Sequence, residues 1–84
     1  MNHKVLVEIF VPASGESFDV FIPLESRMSE VVELVSEAIG ELTGGRYLGT
    51  RDSLLCDRES GMIYNMNMAV AELGIENGTR LMLI

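Results

Sequence analysis

Between Lys4 and Pro12 the apolar residues Val5, Val7, Ile9 and Val11 fall at every second position, with Lys4 and Glu8 among the residues between them. A period of two rich in β-branched side chains predicts a strand with one face on a core. Pro12 to Glu16 is turn-forming, and Phe18, Val20, Ile22 and Leu24 then resume the alternation around Asp19. Two strands at that separation form a β-hairpin. Leu6, Phe10 and Phe21 occupy its other face. That face is therefore partly apolar, and is either covered at an edge or offered to a partner.

After Pro23 and Leu24 the period changes. Met28, Val31, Val32, Val35, Ala38, Ile39 and Leu42 recur at the spacing of one stripe of an amphipathic helix. Ser26 or Ser29 is the expected N-cap, Glu30 suits the positive first turn, and Thr43, Gly44 and Gly45 end the helix. Valines at 31, 32 and 35 each lower helix propensity by about 0.5 kcal/mol relative to alanine, so packing must decide its stability.

Gly44 to Asp52 reads as a long loop containing glycine and arginine. Leu54, Leu55 and Cys56 then form a short apolar strand that stops at Asp57, Arg58, Glu59, Ser60 and Gly61. Met62, Ile63 and Tyr64 are its expected hairpin partner, while residues 65–68 match neither period. Val70, Leu73 and Ile75 suggest one helical turn closing the end of the core. Asn77 and Gly78 turn the chain, and Arg80 to Ile84 read as a last strand. The order is ββαββ, a short helical turn, then β. A helix on one face of a small mixed sheet buries the helical stripe and one face of each strand together, which is a two-layer α+β fold.

Eighty-four residues suffice for one domain, 1–84, able to bury a core without metals or disulfides. A formal net charge of −7 makes nucleic acid and anionic membrane surfaces poor partners. One cysteine, Cys56, permits no intramolecular disulfide, and no cysteine–histidine cluster offers a metal site, so the composition suits a reducing cytoplasm. Apolar runs reach only about four residues, against the 18 or more that cross a bilayer, so no membrane insertion is expected. Lys4 followed by Val5, Leu6 and Val7 has the outline of a signal peptide, but Glu8 splits the apolar stretch.

The element order resembles the ubiquitin-like β-grasp superfamily across essentially the whole chain. The likeness is clearest in Val70, Leu73, Gly74, Ile75, Glu76, Asn77, Gly78 and Leu81. It implies that the first and last strands pair in parallel at the sheet centre, with Leu81 and Leu83 facing the helix and Arg80, Met82 and Ile84 facing outward. Within the superfamily, Leu73 to Ile84 is similar to the Gly-Ile-x-Asn-Gly-x-x-Leu ending of the YukD/EsaB-like small bacterial proteins associated with type VII (WXG100) secretion. The loop after the helix is longer than that family leads one to expect. This resemblance implies a non-conjugated, cytoplasmic, protein-binding accessory or regulatory component of such a system.

Ubiquitin-type modifiers and sulfur carriers need a flexible C-terminal Gly-Gly. This chain ends Leu83-Ile84, and its one Gly-Gly, Gly44-Gly45, follows the helix, where a C-cap explains it. The alternative of a modifier or sulfur carrier processed from a precursor is therefore disfavoured. No cofactor is expected, since a β-grasp ferredoxin needs four cysteines. No phosphate loop, nucleophile elbow or zinc motif occurs, His3 lies at the terminus and Cys56 has apolar neighbours, so enzyme activity is not expected.

Two surfaces remain as candidates for a protein partner. Glu30, Glu33, Glu37 and Glu41 follow one another at spacings of three, four and four on the helix side opposite Val31, Val35 and Ile39. Like charges at such spacings cost a few tenths of a kcal/mol per pair, and Glu41 also faces the negative helix end. Solubility explains this ridge, as does docking to a basic surface of a secretion component. The second surface is Met82 and Ile84 with Leu55, expected on the outward side of the last strands, where ubiquitin-like domains carry an apolar recognition patch. Edge burial or a homodimer would account for the same residues.

Overall fold

A computed structural model describes residues 3–47, 49 and 52–84. Strands β1 (Lys4–Val11) and β2 (Glu16–Pro23), helix α1 (Met28–Leu42), strand β3 (Leu55–Asp57), a 3₁₀ turn (Val70–Leu73) and strand β4 (Arg80–Leu83) follow in that order. The loop expected at Gly44 to Asp52 is described only in part, because Leu48, Thr50 and Arg51 lie outside the described residues.

The alternation of β1 and β2 is realised as cross-strand pairs: Val5 opposite Ile22, Val7 opposite Val20 and Ile9 opposite Phe18. These inward residues stack on α1 through Met28, Val31, Val32, Val35 and Ile39. The sheet order is β2-β1-β4-β3. β1 and β4 run parallel, with Ile9 beside Leu81, while β3 is antiparallel to β4, with Leu55 beside Leu83. A parallel pair needs a crossover and a device that sets its register. Here the Asn77-Gly78 turn supplies it: Asn77 Oδ1 accepts the Leu6 amide at 2.8 Å, and the Gly78 amide donates to the Leu6 carbonyl at 2.9 Å. Val70 and Ile75 close the end of the core, as their spacing suggested.

Three expectations are corrected. Neither Ser26 nor Ser29 caps the helix; the N-cap is Arg27, without a side-chain cap. The free amides of Met28 and Ser29 instead donate to the carbonyls of Met68 and Met66, both at 2.9 Å, and Glu30 reaches back to the Arg27 amide at 3.2 Å. Residues 65–68, which matched no period, are thus the helix's tertiary cap. Leu42, assigned to the apolar stripe, is 63% exposed, because the core takes its last helix residue at Ile39. Met62 to Tyr64 form no full strand; they meet β3 through one bridge, Cys56 to Ile63, with backbone bonds from Asp57 to Met62 and from Tyr64 to Leu55.

Candidate functional site

The helix surface turned away from the sheet carries the acidic ridge. Glu30, Glu33, Glu37 and Glu41 are all exposed. Glu30 is partly committed to the helix start, where its carboxylate accepts the Arg27 amide. Glu33 and Glu37 form a crest between two depressions. One, about 310 Å³, is lined by Pro23, Ser26, Leu34 and the glutamates. The other, about 800 Å³, runs between α1 and the residues Tyr47, Gly49, Ser53 and Leu54, with Val32, Tyr47, Leu54 and Met66 as its apolar lining.

Beside the larger groove, Ser36 Oγ is buried and has no hydrogen-bond partner among the described residues. A hydroxyl in that condition forfeits its hydration without replacement. Its burial is explained in part by Gly49: a Cβ there would stand 2.8 Å from Ser36 Cβ, so only glycine lets the loop approach so closely. At the far end of the helix, Thr43 Oγ1 bonds the Gly40 carbonyl and accepts the Tyr47 amide, which anchors Tyr47 against the core.

The second predicted surface is only partly assembled. Met82 is half-buried and Ile84 is 50% exposed on the outer side of the sheet, whereas Leu55 is fully buried. Leu55 pairs with the inward-facing Leu83, and opposed residues share a face, so the outward neighbour of Met82 is Cys56 instead. Cys56 itself is 1% exposed, with Sγ 3.6 Å from the Met82 carbonyl oxygen. Burial, and secondarily the Asp57 carboxylate, raise its thiol pKa, and the same two influences, with a further contribution from Cys56, raise that of Tyr64. A buried thiol held protonated is structural.

Sequence reasoning missed Arg58 on this outer face. Its guanidinium lies 4.2 Å from the centroid of the Phe10 ring and 2.8 Å from Glu8 Oε1. A cation stacked on an aromatic face and paired to a carboxylate covers part of the apolar surface left by Phe10. Cation and ring are 48 positions apart, a separation at which no sequence periodicity signals contact. Leu6 and Phe21, opposed across β1 and β2, remain 37% and 58% exposed.

Among the described residues, no group of three or more His, Cys, Asp or Glu is arranged to hold a metal ion. No helix among them is long and apolar enough to cross a membrane.

A mixed four-stranded sheet carrying one helix, with the first and last strands parallel at its centre, is a ubiquitin-like β-grasp fold. Comparison with solved structures agrees. The ubiquitin-like domain of the Mycobacterium tuberculosis type VII secretion system protein ECCD1 superposes with a TM-score of 0.75 at 15% identity, covering 100% of this chain and 99% of that one. The EccD5 ubiquitin-like domain from Mycobacterium xenopi gives 0.72 at 20% identity, covering 99% and 94%. A chain of a toluene 4-monooxygenase HD complex gives 0.76 at 17% identity, covering 95% of each chain. At such identities the likeness is one of fold. No protein-family model and no curated protein sequence matches the chain.

Proposed function

We propose that this protein is a non-conjugated ubiquitin-like binding module that serves as an accessory or regulatory component of a type VII secretion system, close to the YukD/EsaB-like proteins. It acts in the cytoplasm as a single domain, without catalytic activity, and recognises a basic surface of a secretion component. The observation that carries the reading is the full-length structural similarity to the EccD ubiquitin-like domains, joined to an acidic helix face. Glu33 and Glu37 take part in no ion pair among the described residues, whereas Glu8, Glu16 and Glu25 each have a basic partner. The position of Gly44-Gly45 supports the absence of conjugation there. Both glycines adopt left-handed backbone at the helix end, with φ of 63° and 87°, and cleavage after them would remove β3 and the central strand β4.

The test pairs two measurements on the protein purified from its source. Replacing Glu33 and Glu37 by Gln removes three repulsive pairs, Glu30 with Glu33, Glu33 with Glu37 and Glu37 with Glu41, of about 0.2 to 0.5 kcal/mol each, and leaves the fold intact. Capture of a type VII component should be slower for this variant and less dependent on ionic strength, because exposed charges act mainly on the encounter rate. Equal capture of the same component by parent and variant at low and high salt removes the ridge from the reading. Intact-mass analysis covers the competing class: a species ending at Gly45, a thiocarboxylate or an isopeptide adduct would make the protein a modifier or sulfur carrier.

A further inference from the structure

We propose that the groove bounded by α1, Tyr47, Gly49, Ser53, Leu54 and Met66 receives an apolar side chain from a basic segment of the partner, while Glu33 and Glu37 hold the cationic side chains flanking it. This deepens the reading above and rests on it. Two observations converge. The groove is large enough for a bulky side chain and its floor is apolar, since Val32 is buried and Leu54, Tyr47 and Met66 are half-buried there. Its rim is acidic, with exposed Glu33 and Glu37 that pair with no cation among the described residues. In a chain of net charge −7, such a rim rejects an acidic guest and draws a basic one. An apolar floor with a few placed polar groups is the ordinary construction of a binding cleft, and the acidic crest sets the sign of what binds.

The experiment uses five-residue peptides against the whole ¹⁵N-labelled protein: Leu flanked by two Lys on each side, the same peptide with Ala for Leu, and the same with Gln for every Lys. Titration of the parent should move amide resonances of residues 29–40, 53–54 and 66. The Leu peptide should bind about threefold or more tighter than the Ala peptide, given the apolar area it would bury. The Gln peptide should bind least, and 0.5 M salt should abolish the preference for Lys over Gln. Ser29, exposed on the first helical turn beside the groove, offers a filling variant. Ser29→Trp should reduce the Leu peptide to the affinity of the Ala peptide, and the titration of the parent decides the matter alone if that variant fails to fold. Equal binding of the Leu and Ala peptides, or shifts confined to the outer sheet face, overturns the groove. If both peptides are then weakened alike by Glu33→Gln with Glu37→Gln, the basic-partner reading stands without it. If neither that pair of substitutions nor salt has any effect, the basic-partner reading falls as well.

Discussion

Val35 sits at the middle of the α1 stripe and is fully buried against the sheet. Val35→Ala deletes two methyl groups. At about 0.8 kcal/mol per buried carbon, with a further contribution from the incompletely collapsed space, the cost is about 2 kcal/mol. Val35→Asp loses the same apolar contact and also buries a carboxyl group with no partner, which adds several kcal/mol. An 84-residue domain has a total stability of about 4 to 13 kcal/mol at typical values per residue. The alanine variant should therefore remain a cooperative folder with a lowered urea midpoint, and the aspartate variant should be largely unfolded at pH 7. The aspartate penalty should also depend on pH. Burial raises the pKa of the new carboxyl above its unfolded value of about 3.9, so the folded state binds the proton more tightly. Relative to the parent, the variant should regain stability below about pH 4 and lose it as pH rises through the folded pKa. Urea titration followed by circular dichroism at 222 nm, at pH 7 and pH 4, measures each difference. An aspartate variant as stable as the parent at pH 7 would mean that the buried face of the helix has been misassigned.

The placement of Leu55 and Ile84 on opposite surfaces is checked by the same assay: Leu55→Asp should cost several kcal/mol, whereas Ile84→Asp, at a half-exposed site, should stay within about 0.5 kcal/mol of the parent. Cys56 should resist a thiol reagent such as dithiobis(nitrobenzoic acid) at pH 8 in the native protein and react once urea unfolds it, because the thiol is buried and its pKa is raised. The unfolded chain ionises first, so stability should fall as pH rises above 9.0 toward the higher folded value, and Cys56→Ser should remove this part of the alkaline loss; unchanged loss in that variant would assign it elsewhere.

The fold was legible because its signals are local. Period two in Val5 to Val11 and period 3.6 in Met28 to Ile39 each declare an element and the face it buries, and the expected parallel pairing of first and last strands is present in the sheet. Leu55 was misplaced because a three-residue strand is too short for alternation to show which face it presents. Only its pairing with Leu83 decides that. The acidic ridge was readable as charge at helical spacing. The groove beside it was not, since its walls are α1, residues 53–54 and Met66, brought together from distant parts of the chain.

The sequence by itself determined the element types, the buried helix stripe and the acidic crest, because each depends on residues within a turn or two of one another. Tertiary structure alone decided how the helix is capped, by carbonyls of Met66 and Met68 in place of a serine, and how the outer face is covered, by Arg58 over Phe10. The physical reason is that orphan backbone amides and exposed rings must be satisfied, but physics does not require the partner to be near in sequence.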